Sequence, residues 1–107
     1  MPLPDAFAAL GDPTRFAIVE RLLAEGEKSA GEICGVVAVS APSVSRHLKV
    51  LCDAGVLVRR AERQRRLYSA NPAALQSIHR WAISHRQFWA SSLDRLQRAV
   101  EGDRTDV

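Results

Sequence analysis

Residues 40–66 concentrate the side chains of this chain that can do recognition chemistry. Ser40-Ala41-Pro42-Ser43-Val44-Ser45-Arg46-His47-Leu48-Lys49 sets hydroxyls, an imidazole and two cations within ten residues. Between Arg59 and Arg66, five of eight positions are arginine. A guanidinium donates in a fixed fork that fits phosphate oxygens or the O6/N7 edge of guanine, and a serine hydroxyl both donates and accepts. The chemistry on offer is hydrogen bonding to a polyanion, not bond making. A catalytic centre needs a nucleophile, a base and an orienting group held together. Here His47, His79 and His85 are scattered, the acids fall at polar helix faces or ends, and there is no glycine-rich phosphate loop. No enzymatic activity is expected.

These groups need a scaffold, and hydrophobic periodicity supplies one. Val44, Leu48 and Leu51 fall at i, i+4 and i+7, one apolar stripe of a helix. Ser45, Arg46 and Lys49 lie on the other side of that helix, with no acid among them. Ser40 suits its N-cap, Pro42 its first turn, where backbone N–H groups lack helical partners, and Gly55 the left-handed residue at its end. Upstream, Ser29 with Glu32 three residues on forms a capping box for an earlier helix, whose Ile33, Cys34, Val36 and Val37 are expected to face inward. Val39-Ser40 is expected to make a tight turn between the two. Residues 29–54 therefore read as helix, short turn, helix, with the second helix able to dock in a DNA major groove.

Two β-rich runs follow, Val56 to Ala61 and Arg65 to Ala70, joined by Glu62-Arg63-Gln64. They read as a wing over about 56–70. A two-stranded ribbon is only marginally stable in water, so its arginine loading points to packing beside the helix and a phosphate or minor-groove contact. The turn has no glycine, which leaves its type and length open.

On the N-terminal side, residues 4–10 read as a short helix closed by Gly11. Asp12 caps a second helix, Thr14 to about Ala24, with Pro13 at its first position; it is expected to bury Phe16 or Ala17, Ile18, Val19, Leu22 and Leu23. On the C-terminal side, Asn71 caps and Pro72 opens a run without glycine or further proline as far as Val100. Leu75, Ile78, Trp81 or Ala82, His85, Phe88 or Trp89, Ser92 or Leu93, Leu96 and Ala99 or Val100 recur there at helical spacing, so a helix over about 72–100 is expected, continuous or kinked. It holds both tryptophans and Phe88, more apolar surface than the preceding winged region can cover; a second copy of the chain is the expected cover. Residues 101–107 are polar and are expected to fray.

The length of 107 residues fits one domain, residues 1–107, with a small core, and 47% hydrophobic against 25% charged residues excludes a disordered chain. No apolar run approaches the roughly 20 residues that cross a bilayer. Met1-Pro2-Leu3-Pro4-Asp5 lacks the basic start of a secretory signal, so no membrane association and a cytoplasmic location are expected. Net charge is only +3, but it is unevenly placed. Residues 1–38 hold six acids and three bases (−3), residues 39–71 hold seven bases and two acids (+5), and the remainder adds +1. Thirteen of the fifteen bases are arginine, so the basic middle third has the footprint of a nucleic-acid face.

In this order, Ala9-Leu10-Gly11-Asp12-Pro13-Thr14-Arg15, then Ser45-Arg46-His47-Leu48-Lys49-Val50-Leu51 with Ala54-Gly55-Val56-Leu57, and Arg66-Leu67-Tyr68, the chain resembles the ArsR/SmtB family of bacterial winged-helix repressors over roughly residues 5–100. The resemblance implies a mainly α fold, a winged helix-turn-helix with a two-stranded β wing and a long C-terminal dimerisation helix. It implies a homodimer that binds an inverted repeat of double-stranded DNA in a promoter and represses transcription until a signal releases it. Dimerisation through the first and last helices assigns Phe7, Leu10, Leu75, Ile78, Trp81, Phe88, Trp89, Leu93 and Leu96 to that interface. DNA contact is assigned to Ala41, Pro42, Ser43, Ser45, Arg46, His47 and Lys49, with Arg59, Arg63 and Arg65 in the wing. Ala41 stands where a polar residue is usual in the family and offers only an apolar contact, which shifts the reading of bases onto Arg46.

Many members of that family sense metals, but the ligands are missing here. At the thiolate site Glu32-Ile33-Cys34-Gly35-Val36 keeps one sulfur and has valine in place of the other. At the zinc site of the C-terminal helices Pro72, Ala74 and Phe88 occupy three of the four ligand positions, leaving His85, and His79 sits off its face. No metal or other cofactor is expected. Two alternatives stand beside the repressor reading: a winged-helix protein-interaction module without sequence-specific DNA binding, and a thiol-redox-responsive repressor using Cys34 and Cys52.

Overall fold

Three of the first four helices of the computed structural model, which describes residues 2–105, begin where a side chain caps them. α1 (Leu3–Leu10) starts behind Pro2 and is closed by Gly11, whose N–H donates to the Ala8 carbonyl. Asp12 accepts from the Arg15 backbone N–H at 3.0 Å and starts α2 (Pro13–Glu25). Ser29 and Glu32 form both halves of the capping box that starts α3 (Ala30–Cys34). Ser40 Oγ accepts from the Ser43 N–H at 3.4 Å and starts α4 (Ala41–Asp53), and Gly55 follows it with φ 78°. The Asp12, Ser29 and Ser40 bonds satisfy donors that have no partner inside a helix, which is why α2, α3 and α4 begin where they do.

The core forms where the apolar stripes of these helices meet. Ile18, Val19 and Leu22 of α2, Ile33 of α3, and Val44, Leu48 and Leu51 of α4 join Ala6 and Ala9 of α1 in one buried cluster. Val56, Leu57 and Tyr68 close it from the base of the wing. Burying a side chain of the Val, Leu or Ile class contributes roughly 1.5–3 kcal/mol, so this cluster fixes α4 against α2 and α3 and thereby aims its outer face.

The wing is β2 (Leu57–Glu62) and β3 (Arg65–Ala70), antiparallel, with the register Arg59 opposite Tyr68, Ala61 opposite Arg66 and Glu62 opposite Arg65. Its turn is the pair Arg63-Gln64, and Arg63 sits at φ 58°, so the absent glycine is replaced by an arginine in the left-handed region. Gln64 is not at positive φ, which rules out type I′, where both central residues need it. A third strand, β1 (Lys28–Ser29), pairs with the other edge of β3 and gives the order β1-β3-β2. Two residues of strand are too few to show an alternation, and the sequence reading has no strand there.

Three expectations are corrected, and one left open is decided. α3 is a single turn ending at Cys34, and residues 35–40 make a longer connection than the tight Val39-Ser40 turn; Cys34 and Val37 pack half-buried against the core as expected, and Val36 does not join them. Phe16, Ala17 and Leu23 of α2 are not core: all three are exposed, Phe16 and Leu23 at 50% and 53%. The last helix is interrupted: α5 (Pro72–Ser84) ends, and α6 (Arg86–Thr105) begins after His85. The Ser84 hydroxyl donates to the Trp81 carbonyl at 2.8 Å, the acceptor the His85 N–H would use in a continuous helix, and that N–H turns to Ala82 instead at 3.3 Å. Finally, α6 runs past the expected end at 100 as far as Thr105; the last two residues of the expected frayed tail lie outside the described residues.

Contacts divide the chain into two compact units, Met1–Gln76 and Ser77–Val107. Asn71 secures the end of the first: its N–H donates to Val56 O, its side-chain amide donates to Gly55 O at 2.8 Å, and its Oδ1 accepts from the Ala73 N–H. No helix among the described residues is long and apolar enough to cross a membrane.

Candidate nucleic-acid interface

The two faces of α4 differ completely. Val44, Leu48 and Leu51 are buried, whereas Ala41, Pro42, Ser45, Arg46 and Lys49 are exposed and Ser43 and His47 are half-buried. Arg46 extends its guanidinium toward Ser43 Oγ at 3.5 Å, and it has no ion pair among the described residues. Lys49 is paired with Asp53 one turn later at 2.8 Å, an exposed i,i+4 pair that stabilises the helix by only a few tenths of a kcal/mol.

His47 stands apart from its neighbours. Its Nδ1 lies 3.5 Å from Arg15 Nη1 and 3.9 Å from Asp12 Oδ2. Arginine only donates, so at the Arg15 contact the imidazole nitrogen accepts. Arg15 also donates through Nε to the Ala9 carbonyl at 2.6 Å and through Nη2 to that of Ala8, covering the open carbonyls at the end of α1. His47 therefore belongs to the joint that ties α4 to the α1–α2 corner. Arg15 is the functional residue of that joint, to which the sequence reading gives no role. The same corner holds the Asp12 carboxyl below its ordinary value, first through the hydrogen bond from the Arg15 N–H.

The wing register sorts its arginines onto two faces. Arg60 and Arg65 share one face with Glu62, and acids meet both. Arg60 grips Glu27 with two bonds of 2.7 and 2.6 Å and touches Glu62 at 3.2 Å, while Arg65 pairs with Glu32 at 2.9 Å. Those hydrogen bonds hold the Glu27 carboxyl below the ordinary carboxylate range; Glu32 is lowered too, by the Ser29 N–H first and the charge of Arg65 after it. Arg59 and Arg66 lie on the other face, beside Tyr68, with no ion pair among the described residues. Arg63 projects at the turn. Of the three wing residues assigned from sequence, Arg59 and Arg63 are thus unmatched and Arg65 already carries a counter-charge. Arg66, to which the sequence reading gives no role, is likewise unmatched among the described residues.

The residues assigned to dimerisation divide likewise. Leu10, Leu75 and Ile78 are half-buried. Phe7, Trp81, Phe88, Trp89, Leu93 and Leu96 are exposed, with Leu93 and Leu96 each at 64%. Trp89, Leu93, Leu96 and Val100 follow one another at i, i+4, i+7 and i+11, an apolar stripe along α6. Phe88 and Trp89 meet edge to face at 5.2 Å, and Trp81 meets His85 at 5.3 Å across the helix break.

Both cysteines are free and half-buried. Burial pushes the Cys52 thiol above its ordinary value, which makes it a poor nucleophile. Among the described residues no three or more His, Cys, Asp or Glu side chains converge as a metal site.

Residues 10–60 match the model of a helix-turn-helix domain. The HTH-type transcriptional regulator Rv2034 of Mycobacterium tuberculosis is 38% identical over 105 residues, 97% of this chain and 94% of that protein. The transcriptional repressor SdpR of Bacillus subtilis is 36% identical over 80 residues, 75% of this chain and 88% of that one. Among solved structures, an ArsR-like transcriptional regulator from Rhodococcus superposes with a TM-score of 0.73 at 26% identity, covering 90% of each chain. These relatives are transcriptional regulators, not enzymes. With its capped recognition helix, arginine wing and near full-length match to such regulators, the chain belongs to the ArsR family of winged helix-turn-helix transcriptional regulators.

Proposed function

We propose that this chain works in the cytoplasm as a homodimeric repressor, that residues 1–107 act as one functional unit, and that each dimer occupies an inverted repeat in a promoter. The observation that carries this reading is the two-faced α4: a fully buried stripe holds it, and the outer face offers only small, hydroxylic or cationic groups near its N-terminal end. In a two-fold dimer each α4 enters a major groove, with half-site centres about one helical turn, 10 to 10.5 base pairs, apart. Arg46 reads a base edge; Ala41, Pro42, Ser43, Ser45 and Lys49 line the groove and its phosphates; His47 supports from the α1–α2 joint; Arg59, Arg63 and the partly neutralised Arg65 hold the backbone. The stripe of α6, with Phe7, Leu10, Leu75, Ile78, Trp81 and Phe88, forms the dimer interface. Neither a metal nor catalysis enters the reading.

The test is selection of bound sequences from a random duplex pool, followed by footprinting on the best. A two-fold-symmetric footprint with half-sites one turn apart is expected, with affinity falling steeply as salt rises. Equal binding to selected and scrambled duplexes, or none to either, would return the chain to the interaction-module alternative.

A further inference from the structure

A cleft of about 540 Å³ lies between α4 and the wing, with Ser45, Lys49, Asp53, Arg59, Arg66 and Tyr68 among its walls. Three cations there face one carboxylate, and Lys49 already holds that carboxylate at 2.8 Å. The remaining two, Arg59 and Arg66, are left in surplus, because the acids near the wing, Glu27, Glu32 and Glu62, pair with arginines of the opposite face. Arg59 pairs in register with Tyr68 and Arg66 with Ala61, so the two arginines are diagonal neighbours on one face, roughly 7–8 Å apart and somewhat closer at Cβ. From that spacing two guanidinium forks reach one tetrahedral oxyanion.

Tyr68 supplies an independent sign. Its side chain is only 7% exposed, yet its hydroxyl makes no hydrogen bond with any described residue. No sealed polar side-chain atom in the described structure lacks a partner, so the phenol oxygen reaches solvent through one of the two adjoining clefts that Tyr68 lines, and Ser45 and Arg66 line both. A largely buried phenol beside two unmatched guanidinium groups can donate a hydrogen bond to an anion seated there. Volumes of 300–1,000 Å³ are usual for small-molecule sites, so the cleft holds more than a bare phosphate.

We propose that this cleft binds a small oxyanion of the phosphate class, held by Arg59 and Arg66 with the hydroxyls of Tyr68 and Ser45, and that its occupant and operator DNA exclude each other. The exclusion rests on the DNA reading above; the site itself does not. An anion seated there cancels two cations of the face that meets the DNA backbone. The chemistry is shared by a free phosphorylated small molecule and by a backbone phosphate, and the experiment separates them.

Inorganic phosphate is titrated into the full chain without DNA by calorimetry, with chloride holding ionic strength constant, for wild type, Arg59→Gln, Arg66→Gln and Arg63→Gln. Saturable binding at one site per chain is expected, weakened about tenfold or more by either cleft substitution, the scale of a lost charge-assisted hydrogen bond, and unchanged in the turn variant. Phosphate should also weaken operator binding beyond chloride at equal ionic strength, and that excess should vanish in Arg66→Gln. If Arg66→Gln also lowers the salt slope of operator binding by about one unit, a backbone phosphate shares the seat; an unchanged slope assigns it to free anions alone. Absent phosphate binding, or binding equal in all variants, with operator binding intact overturns the inference and leaves the repressor reading standing. Cleft-dependent phosphate binding in a protein that holds no duplex keeps the site and sinks the repressor reading.

Discussion

Two surfaces remain open on this chain, and they are open for opposite reasons. The face of α4 and the wing is cationic, and arginine in water is well solvated; nothing forces it to be covered. The stripe of α6 is apolar, with Trp89, Leu93, Leu96 and Val100 each more than half exposed. Every square ångström of such surface left in water costs about 25 cal/mol. The first surface therefore awaits a ligand in order to act, whereas the second needs cover for the chain to persist. On the proposed reading this sets an order, with pairing of two chains first and DNA second, and each surface can be broken separately.

The largest effect is expected on the apolar side. Leu93→Asp or Trp89→Glu should yield monomers or aggregates in sedimentation at micromolar concentration. Operator affinity should fall to the non-specific level, at least about 10³-fold, because a lone chain grips one half-site. The core of residues 2–76 should keep its circular dichroism, since neither side chain belongs to it. A monomeric variant with wild-type operator affinity would erase the distinction between the two surfaces.

On the cationic side the effects are smaller and differ in kind. Arg46→Ala should cost about 1–3 kcal/mol per contact and relax base preference at one position of each half-site. Arg63→Ala should weaken all sequences alike and lower the salt slope by about one unit. Arg65→Ala should do less than Arg63→Ala, since Glu32 at 2.9 Å already cancels part of its charge. Binding to operator and scrambled duplexes across a salt series checks all three. Changed sequence preference in a wing variant, together with uniform loss in Arg46→Ala, would exchange the roles of helix and wing.

How far the sequence carried depended on whether a local rule or a long-range register decided the outcome. Caps are local: Asp12, Ser29 and Ser40 announce their helices, and each makes the bond its position requires. The stripe Val44, Leu48, Leu51 is local too, and it placed both the recognition helix and its outer face. The wing is different. Side chains alternate along a strand, so a one-residue uncertainty in the turn exchanges its faces. With no glycine to fix that turn, the sequence could not say that Arg66 lies with Arg59 while Arg65 turns to Glu32. Nor could it find the break at His85, because no proline or glycine marks it; a serine hydroxyl takes a carbonyl instead. Phe16 and Leu23 show the limit of periodicity, since α2 is apolar over a wider arc than its own core covers.

The smallest expected effect tests the matched face of the wing. Arg60 holds the Glu27 carboxyl below its ordinary value of 4.5, chiefly by their hydrogen bonds. A carboxylate whose pKa is depressed by folding stabilises the protein above its unfolded value, and that contribution disappears as pH falls through the folded value. Glu27→Gln should therefore lower Tm slightly at pH 7, and the gap from wild type should begin to narrow below about pH 4.5 and close in stronger acid. Both groups are exposed, so added salt should shrink the gap as well. The freed Arg60 should in turn raise non-specific DNA affinity a little, because the matched face then carries an uncompensated cation. Thermal melts at several pH values and salt concentrations read the first effect, and a scrambled duplex reads the second. A Tm gap that stays constant from neutral pH into strong acid would mean that Glu27 acts through packing rather than charge, and the electrostatic contrast between the two faces of the wing would fall with it.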